Sequence, residues 1–186
     1  MGAGVIPFAR HDDQVCFLFQ TVFSGRKRGY LIDFGGGLGP GEDEKQAAIR
    51  EFVEETETLY FADDLRLAGR TEEQVERQIP LVESLFERTL SSHPGWWCPR
   101  ERGEGSPPKR WKTFFIQFPY KNIQAFNDEW ATDTTGRFKK RRQLIWLSGE
   151  ELLNIYQQAP ERLWKRVREL RHATRTVSEI MLNACE

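Results

Sequence analysis

The sequence predicts a protein of the α/β (α+β) class, with a compact mixed β-sheet and helices packed on it. Short runs rich in Val, Ile and Phe are separated by turn residues, as strands are. Other segments carry apolar residues at helical spacing. Strands and helices follow one another without a regular β-α-β order, which favours a mixed sheet over a parallel one. The length of 186 residues suits one domain with a real core, so residues 1–186 are predicted to form a single domain.

The N-terminal half predicts three strands and a helix. Residues 4–8 and 15–23 are rich in Val, Ile and Phe on either side of a polar break, and they predict a hairpin. Residues 30–34 predict a third short strand. The glycine-rich residues 35–41 are predicted to form a loop, because glycine favours unusual backbone angles. Asp43 and Gln46 have the spacing of a capping box, which predicts a helix that runs at least to Glu55.

The C-terminal half predicts a helical and irregular insertion at about residues 71–108, followed by strands and further helices. Within the insertion, helical residues 71–90 are expected to be interrupted or kinked near Pro80, and residues 93–108 to be irregular. Residues 110–118 and 142–147 predict strands, while 120–135 fit neither state clearly. Ser148 and Glu151 predict a capped helix to about residue 158, and Pro160 lies near the start of a predicted C-terminal helix at about 160–183. Apolar positions in these last helices predict core, with a homodimer face as the alternative.

The composition indicates a soluble globular protein with no bulk charge that would attract nucleic acid or membranes. Lys and Arg number 27 and Asp and Glu 28, for a net charge of −1. Cys16, Cys98 and Cys185 are odd in number and far apart, which predicts neither a disulfide framework nor a zinc site. No segment has the roughly 18 apolar residues of a membrane span, and the first residues lack a signal-peptide pattern. We therefore expect a cytoplasmic setting and no membrane partner.

Negative charge is concentrated behind the glycine-rich segment. Glu51, Glu54 and Glu55 have i, i+3 and i+4 spacing and span about 100° of the predicted helix, while Ile49 and Phe52 lie on the other side. Like charges at this spacing destabilise a helix by a few tenths of a kcal/mol per pair. A hard cation such as Mg²⁺ or Mn²⁺ would offset this repulsion. A solvated acidic helix face is the alternative.

The spacing of this segment resembles the signature of the Nudix hydrolases, GX5EX7REUXEE, where U is apolar. Gly36 is followed after five residues by Glu42 and after seven more by the run from Arg50 to Glu55, with Phe52 in the apolar position. The family pattern continues with a glycine and an apolar residue, whereas residues 56–58 here read Thr-Glu-Thr. Either Glu57 adopts the left-handed conformation of that glycine, at a cost of about 1 kcal/mol, or the helix continues into residues 58–60; we expect the continuation.

The resemblance implies an α/β/α sandwich and the Mg²⁺- or Mn²⁺-dependent hydrolysis of a nucleoside diphosphate linked to another group. It implies that Arg50 orients the glutamates and that Glu42 supports the loop. The proton acceptor would be Glu51 or a carboxylate from a later loop. The implied metal ligands are Glu51, Glu54, Glu55 and the backbone carbonyl of Gly35, and the loop carboxylates are Glu104, Asp128, Glu129 and Asp133.

Three clusters of basic residues and several tryptophans are candidates for binding the substrate, which the resemblance implies is a diphosphate compound. Solvated surface charge is the alternative for each cluster, and packing is the alternative to base stacking for the tryptophans. A Nudix fold that binds ligand without turnover, and a pyrophosphohydrolase acting on RNA or another highly charged polyphosphate, stay open as alternatives. Candidate phosphate-binding residues are Arg26, Lys27, Arg28, Lys139 and Lys140; the third cluster is Lys109 and Arg110, and the tryptophans are Trp96, Trp97 and Trp111.

Overall fold

A computed structural model describes residues 1–101, 110–139 and 141–183. The strands of these residues are β1 (Gly2–His11), β2 (Gln14–Val22), β3 (Phe34–Gly37), β4 (Trp97–Pro99), β5 (Trp111–Gln117) and β6 (Arg142–Ser148). They form one mixed sheet with the order β4-β5-β1-β2-β6, and β3 pairs with the first half of β1. Strands β1 and β5 are parallel, and the other pairs are antiparallel.

Helices cover both faces of the sheet. Side chains of β1 alternate between two apolar clusters, as the period of two in a strand requires. Ala3 and Val5 pack with α1, α2 and α3, whereas Ile6 and Phe8 pack with α4, α5 and α6. The result is the expected α/β/α sandwich. The helices are α1 (Glu44–Glu55), α2 (Glu72–Ser92), α3 (Gln124–Thr132), α4 (Gly149–Gln158), α5 (Lys165–Arg168) and α6 (Ala173–Asn183).

The helices of the described residues include none with the length and apolar character needed to cross a bilayer.

The glycine run differs from its predicted loop, because Gly35 and Gly36 belong to strand β3. They pair with Gly4 and Ala3 of β1. A Cβ at Gly35 would lie 2.4 Å from the Ala3 carbonyl oxygen, so the absence of side chains permits this close pairing. Gly35 and Gly36 thus serve close approach of the backbone, and the predicted third strand is shifted toward them. Residues 38–41 do form a loop as predicted, and Gly41 has a left-handed φ of 78°.

Two helix predictions are also corrected. Helix α2 is continuous over 21 residues through Pro80, so the predicted interruption is wrong, while the alternative of a kink there stays a prediction. The predicted helix over 160–183 is divided into a 3₁₀ turn at Pro160–Arg162, α5 and α6. Leu163 forms a bridge to Leu31, and His172 has a φ of 61°; both are incompatible with continuous helix. Tertiary contacts with Leu31, in the segment between β2 and β3, therefore outweigh the helical pattern.

Candidate active site

Helix α1 presents the acidic residues of the signature along one face. Asp43 caps the helix: its Oδ1 accepts a hydrogen bond from the Gln46 backbone N–H at 2.8 Å, and Gln46 Oε1 accepts from Asp43 N–H at 3.0 Å, which confirms the capping box. Ile49 and Phe52 are buried against the sheet. Burial of this face fixes the rotation of the helix, and the glutamates of the opposite face consequently line a cleft.

Arg50 joins the loop to the acidic face. Its Nε donates to Glu42 Oε1 at 2.7 Å, and its Nη1 donates to Glu51 Oε1 at 3.0 Å and to Glu54 Oε2 at 3.1 Å. Glu42 also accepts from the Gly39 N–H at 2.7 Å, and hydrogen bonding by Arg50 lowers the pKa of the Glu42 carboxyl. Arg50 therefore contacts Glu42 and two of the three glutamates that the resemblance implies as metal ligands, Glu51 and Glu54.

Glu55 is held from the sheet side rather than left unpaired. Its Oε2 accepts from Gln20 Nε2 at 2.7 Å and from the Gly35 N–H at 2.8 Å. Its Oε1 lies 3.5 Å from Nη1 of the buried Arg142. These donors come from β2, β3 and β6, so Glu55 is oriented by contacts that are distant in sequence.

Glu51 packs against the glycine strand. A Cβ at Gly36 would lie 2.1 Å from Glu51 Oε1, so only glycine leaves room for this carboxylate. Burial raises the pKa of the Glu51 carboxyl, the Arg50 hydrogen bond opposes this, and the negative charges of Glu55 and Glu54 add to the rise. The carboxylate is thus partly desolvated beside two others.

The acidic face opens on a cleft of about 700 Å³. Its floor includes Glu51, Glu54 and Glu55, and Glu54 has a side chain that is 45% exposed. The remaining described lining residues are Arg50, Glu57, Arg70, Glu72, Val75, Glu76, Ile79, Lys139 and Arg142.

The donor chemistry of the cleft fits a hard divalent cation, because three carboxylates of one helix face line it and Gly36 leaves space for that of Glu51. In the arrangement seen among the described residues, no three His, Cys, Asp or Glu side chains surround one point closely enough to hold an ion. Arg50 bridges Glu51 and Glu54, while Glu55 faces Gln20.

The Gly35 carbonyl is bound by a buried arginine that the sequence did not single out. Arg166 Nη1 donates to Gly35 O at 3.0 Å, and its Nη2 lies 2.7 Å from Oδ1 of the fully buried Asp33. The guanidinium also lies 4.1 Å from the centroid of the Trp111 ring. Arg166 is separated from Gly35 by 131 residues, and its place within a mixed basic and apolar segment gave no signal of this contact.

Helix α1 ends at Glu55, so the expected continuation is wrong. Glu57 and Thr58 both adopt left-handed backbone conformations, with φ values of 49° and 61°. Glu57 is 1% exposed, and its carboxylate accepts from Trp130 Nε1 at 2.9 Å and from the Lys139 N–H at 2.6 Å. These hydrogen bonds explain how a residue other than glycine is accommodated where the family pattern has glycine.

Several predicted site residues lie elsewhere. Arg26 and Lys27 lie 5.9 and 5.8 Å from the Trp164 ring, and with Arg28 they do not line the cleft; Lys139 does. Of the carboxylates predicted to lie on a later loop, Asp128 and Glu129 belong to helix α3, and Asp133 follows it directly. They are engaged by Gln124, by Arg137, and by Thr135 and Phe138, respectively, and none of the three lines the cleft. Glu104, Lys109, Lys140 and Cys185 lie outside the described residues.

The three tryptophans considered for base stacking mainly pack against other side chains of the protein. Trp96 and Trp111 are buried, and Trp97, which is 37% exposed, lies 4.4 Å from the Lys112 ammonium. None of the three lines the cleft.

Sequence reasoning missed four polar residues of the cleft. Glu72 and Glu76 lie at i and i+4 on α2, a spacing that could have identified a common face. Arg70 precedes that helix, and Arg142 is the first residue of β6. Their approach to α1 depends on how α2 and β6 pack, which no local pattern reveals.

No protein-family model and no curated protein matches this sequence. Solved structures do resemble it. An Ap4A hydrolase from C. elegans is 16% identical in sequence. The alignment covers 99% of this chain and 98% of that chain, with a TM-score of 0.49. The Nudix hydrolase RenU from M. smegmatis is 13% identical, and the alignment covers 98% of this chain and 86% of that chain, with a TM-score of 0.47. A Nudix hydrolase from Alicyclobacillus acidocaldarius is 14% identical, and the alignment covers 97% of this chain and 90% of that chain, with a TM-score of 0.45. At these identities the likeness concerns the fold, and the solved structures that this chain resembles include hydrolases named as Nudix.

Proposed function

We propose that this chain is a divalent-metal-dependent hydrolase of the Nudix type, which cleaves the pyrophosphate bond of a nucleoside diphosphate linked to another group. One observation carries the proposal: Glu51, Glu54 and Glu55, which match the signature, lie together on the cleft, with Arg50 and Glu42 bonded to one another beside them. The spacing in the sequence and the position of these residues on the cleft both support the same set of residues.

In this proposal Glu51, Glu54, Glu55 and the Gly35 carbonyl hold Mg²⁺ or Mn²⁺, and the carbonyl does so through the lone pair that the Arg166 hydrogen bond leaves free. When bound, the metal neutralises phosphate oxygens and lowers the pKa of a coordinated water. The chain itself orients the ligands: Gln20 and the Gly35 N–H hold Glu55, and Arg50 holds Glu51 and Glu54. Such partners commonly affect metal affinity by 10- to 100-fold or so.

The test is a screen of the purified protein with Mg²⁺ or Mn²⁺ against nucleotide sugars, dinucleoside polyphosphates, ADP-ribose, NADH, capped RNA and diphosphoinositol compounds. We expect one class to be hydrolysed, and Glu54→Gln to lower its kcat/KM by at least about a hundredfold, because a metal contributes several kcal/mol of charge stabilisation. Glu87→Gln is the matched control, since Glu87 is exposed on α2 and does not line the cleft.

Two results would contradict this function. Equal turnover by Glu54→Gln and the wild type would show that the assignment of the glutamates as metal ligands is wrong. Binding of a nucleotide ligand without hydrolysis of any compound would instead identify a ligand-binding module with this fold.

A further inference from the structure

Two cationic side chains in the cleft have no partner within the described residues. Of the four that line it, Arg50 and Arg142 are paired with glutamates of α1. Arg70 and Lys139 are exposed, and in the described parts of the chain their side chains have no hydrogen bond or ion pair. Their charges are therefore available to a ligand that enters the cleft.

The backbone that carries each cation is anchored by Glu57 or Thr58, which follow α1. Glu57 Oε1 accepts from the backbone N–H of Lys139 itself. Thr58 Oγ1 accepts from the Gly69 N–H and donates to the Gly69 carbonyl, both at 3.0 Å, which fixes the backbone immediately before Arg70. The two adjacent left-handed residues thus attach two distant segments to the end of the acidic helix.

The anchoring contacts are buried and multiple. Glu57 and Thr58 are 1% and 2% exposed, and Glu57 accepts a second hydrogen bond, from Trp130. Hydrogen bonds to a buried carboxylate are stronger than those between neutral groups. Left-handed backbone costs about 1 kcal/mol for a residue other than glycine. The hydrogen bonds of Glu57 and Thr58 offset this cost and hold the two residues in that conformation.

We propose that Arg70 and Lys139 form an anion subsite that binds a phosphate group of the substrate lying beyond the hydrolysed diphosphate. This rests on the proposed function, in that the acidic side of the cleft is assigned to the metal and the cleaved bond. Arg binds phosphate through a planar fork and Lys through a compact charge. Six glutamates also line the cleft, so its charge as a whole does not attract a free anion, and these two cations supply the local attraction.

The subsite specifies a substrate class. A compound with only the two phosphates of the cleaved bond leaves Arg70 and Lys139 unpaired, whereas a chain of three or more phosphates, or a diphosphate whose second group is itself phosphorylated, pairs them. We therefore expect preference for the more highly phosphorylated substrates.

Titration calorimetry with two inert probes and Mg²⁺ tests the subsite. A methylene-bridged triphosphate spans three phosphorus centres, and methylenediphosphonate spans two; neither is hydrolysed. We expect Arg70→Gln and Lys139→Gln each to weaken triphosphate binding about tenfold, which corresponds to the loss of one charge-assisted contact, and to leave diphosphonate binding unchanged. Arg88→Gln, an exposed change of the same charge on α2 that does not touch the cleft, should alter neither probe.

Glu57→Gly tests the anchoring. This variant keeps both cations but removes the acceptor of the Lys139 N–H, so triphosphate binding should weaken while diphosphonate binding persists. Faster amide exchange at Lys139 would accompany it.

The possible contrary results are distinct. Unchanged triphosphate affinity in Arg70→Gln or in Lys139→Gln, or a loss no larger than that of Arg88→Gln, overturns the two-residue subsite. Equal losses for both probes would assign the cations to the cleaved diphosphate and overturn the claim of a further phosphate. Because the probes are inert, these outcomes do not depend on whether the protein hydrolyses anything.

Discussion

Replacement of Arg166 by methionine isolates the buried contact behind the cleft. Met keeps an unbranched, apolar side chain but removes the charge that faces Asp33, the hydrogen bond to Gly35 O and the position over Trp111. Asp33 is fully buried, so its carboxylate would lose its cationic partner where water cannot replace it. Removing one partner of a buried ion pair costs about 3–5 kcal/mol.

This cost is measurable by urea denaturation followed by circular dichroism. We expect the free energy of unfolding to fall by about 3–5 kcal/mol with an unchanged denaturant slope, and Tm to fall by roughly 10 °C for a chain of this size. Arg168→Met is the matched control, since Arg168 is exposed on the same short helix, and it should be nearly neutral. Adding Asp33→Asn to Arg166→Met should recover part of the loss, because the uncompensated charge is removed.

A loss below about 1 kcal/mol for Arg166→Met, or a loss equal to that of Arg168→Met, would refute the reasoning. It would mean that the buried pair is solvated or easily replaced, and that Arg166 does not hold the Gly35 strand.

Three further changes probe the rest of α1 and its surroundings. Gly36→Ala should displace Glu51 and lower the affinity of the folded protein for Mn²⁺ by about tenfold or more, as measured by electron paramagnetic resonance. Unchanged affinity would mean that Glu51 does not hold the metal. Asp43→Ala should lose about 1 kcal/mol of stability in urea denaturation through the broken capping box, whereas Asp43→Asn should lose less. Pro80→Ala should raise stability by about 1–2 kcal/mol, because alanine restores a helical hydrogen bond within the continuous α2; a loss of stability would contradict this.

Local patterns predicted the features that depend on local energetics. The β1–β2 hairpin, the capping boxes at Asp43 and Ser148, and the acidic and apolar faces of α1 are where the sequence places them. Caps and amphipathic faces are governed by residues three or four apart, so a single sequence contains the information that defines them.

Predictions were wrong where distant contacts outweighed local preference. The glycines at 35–37 were assigned to a loop from their backbone freedom, yet pairing with β1 makes them a strand. The segment 160–183 has helical spacing, yet Leu163 pairs with Leu31 and divides it. Continuation beyond Glu55 was expected from the cost of left-handed Glu57, yet the donors on Trp130 and Lys139 stabilise that conformation.

The sequence by itself determined the three-glutamate face and the arginine that accompanies it, because a helix converts fixed spacing into a common face. Only the tertiary structure decided what surrounds that face. Gln20, Arg142 and Arg166 reach Glu55 and the Gly35 strand from elements far along the chain, and Arg70 and Lys139 join the cleft through Thr58 and Glu57. Such contacts depend on how separate elements pack and pair, and so no local spacing in the sequence specifies them.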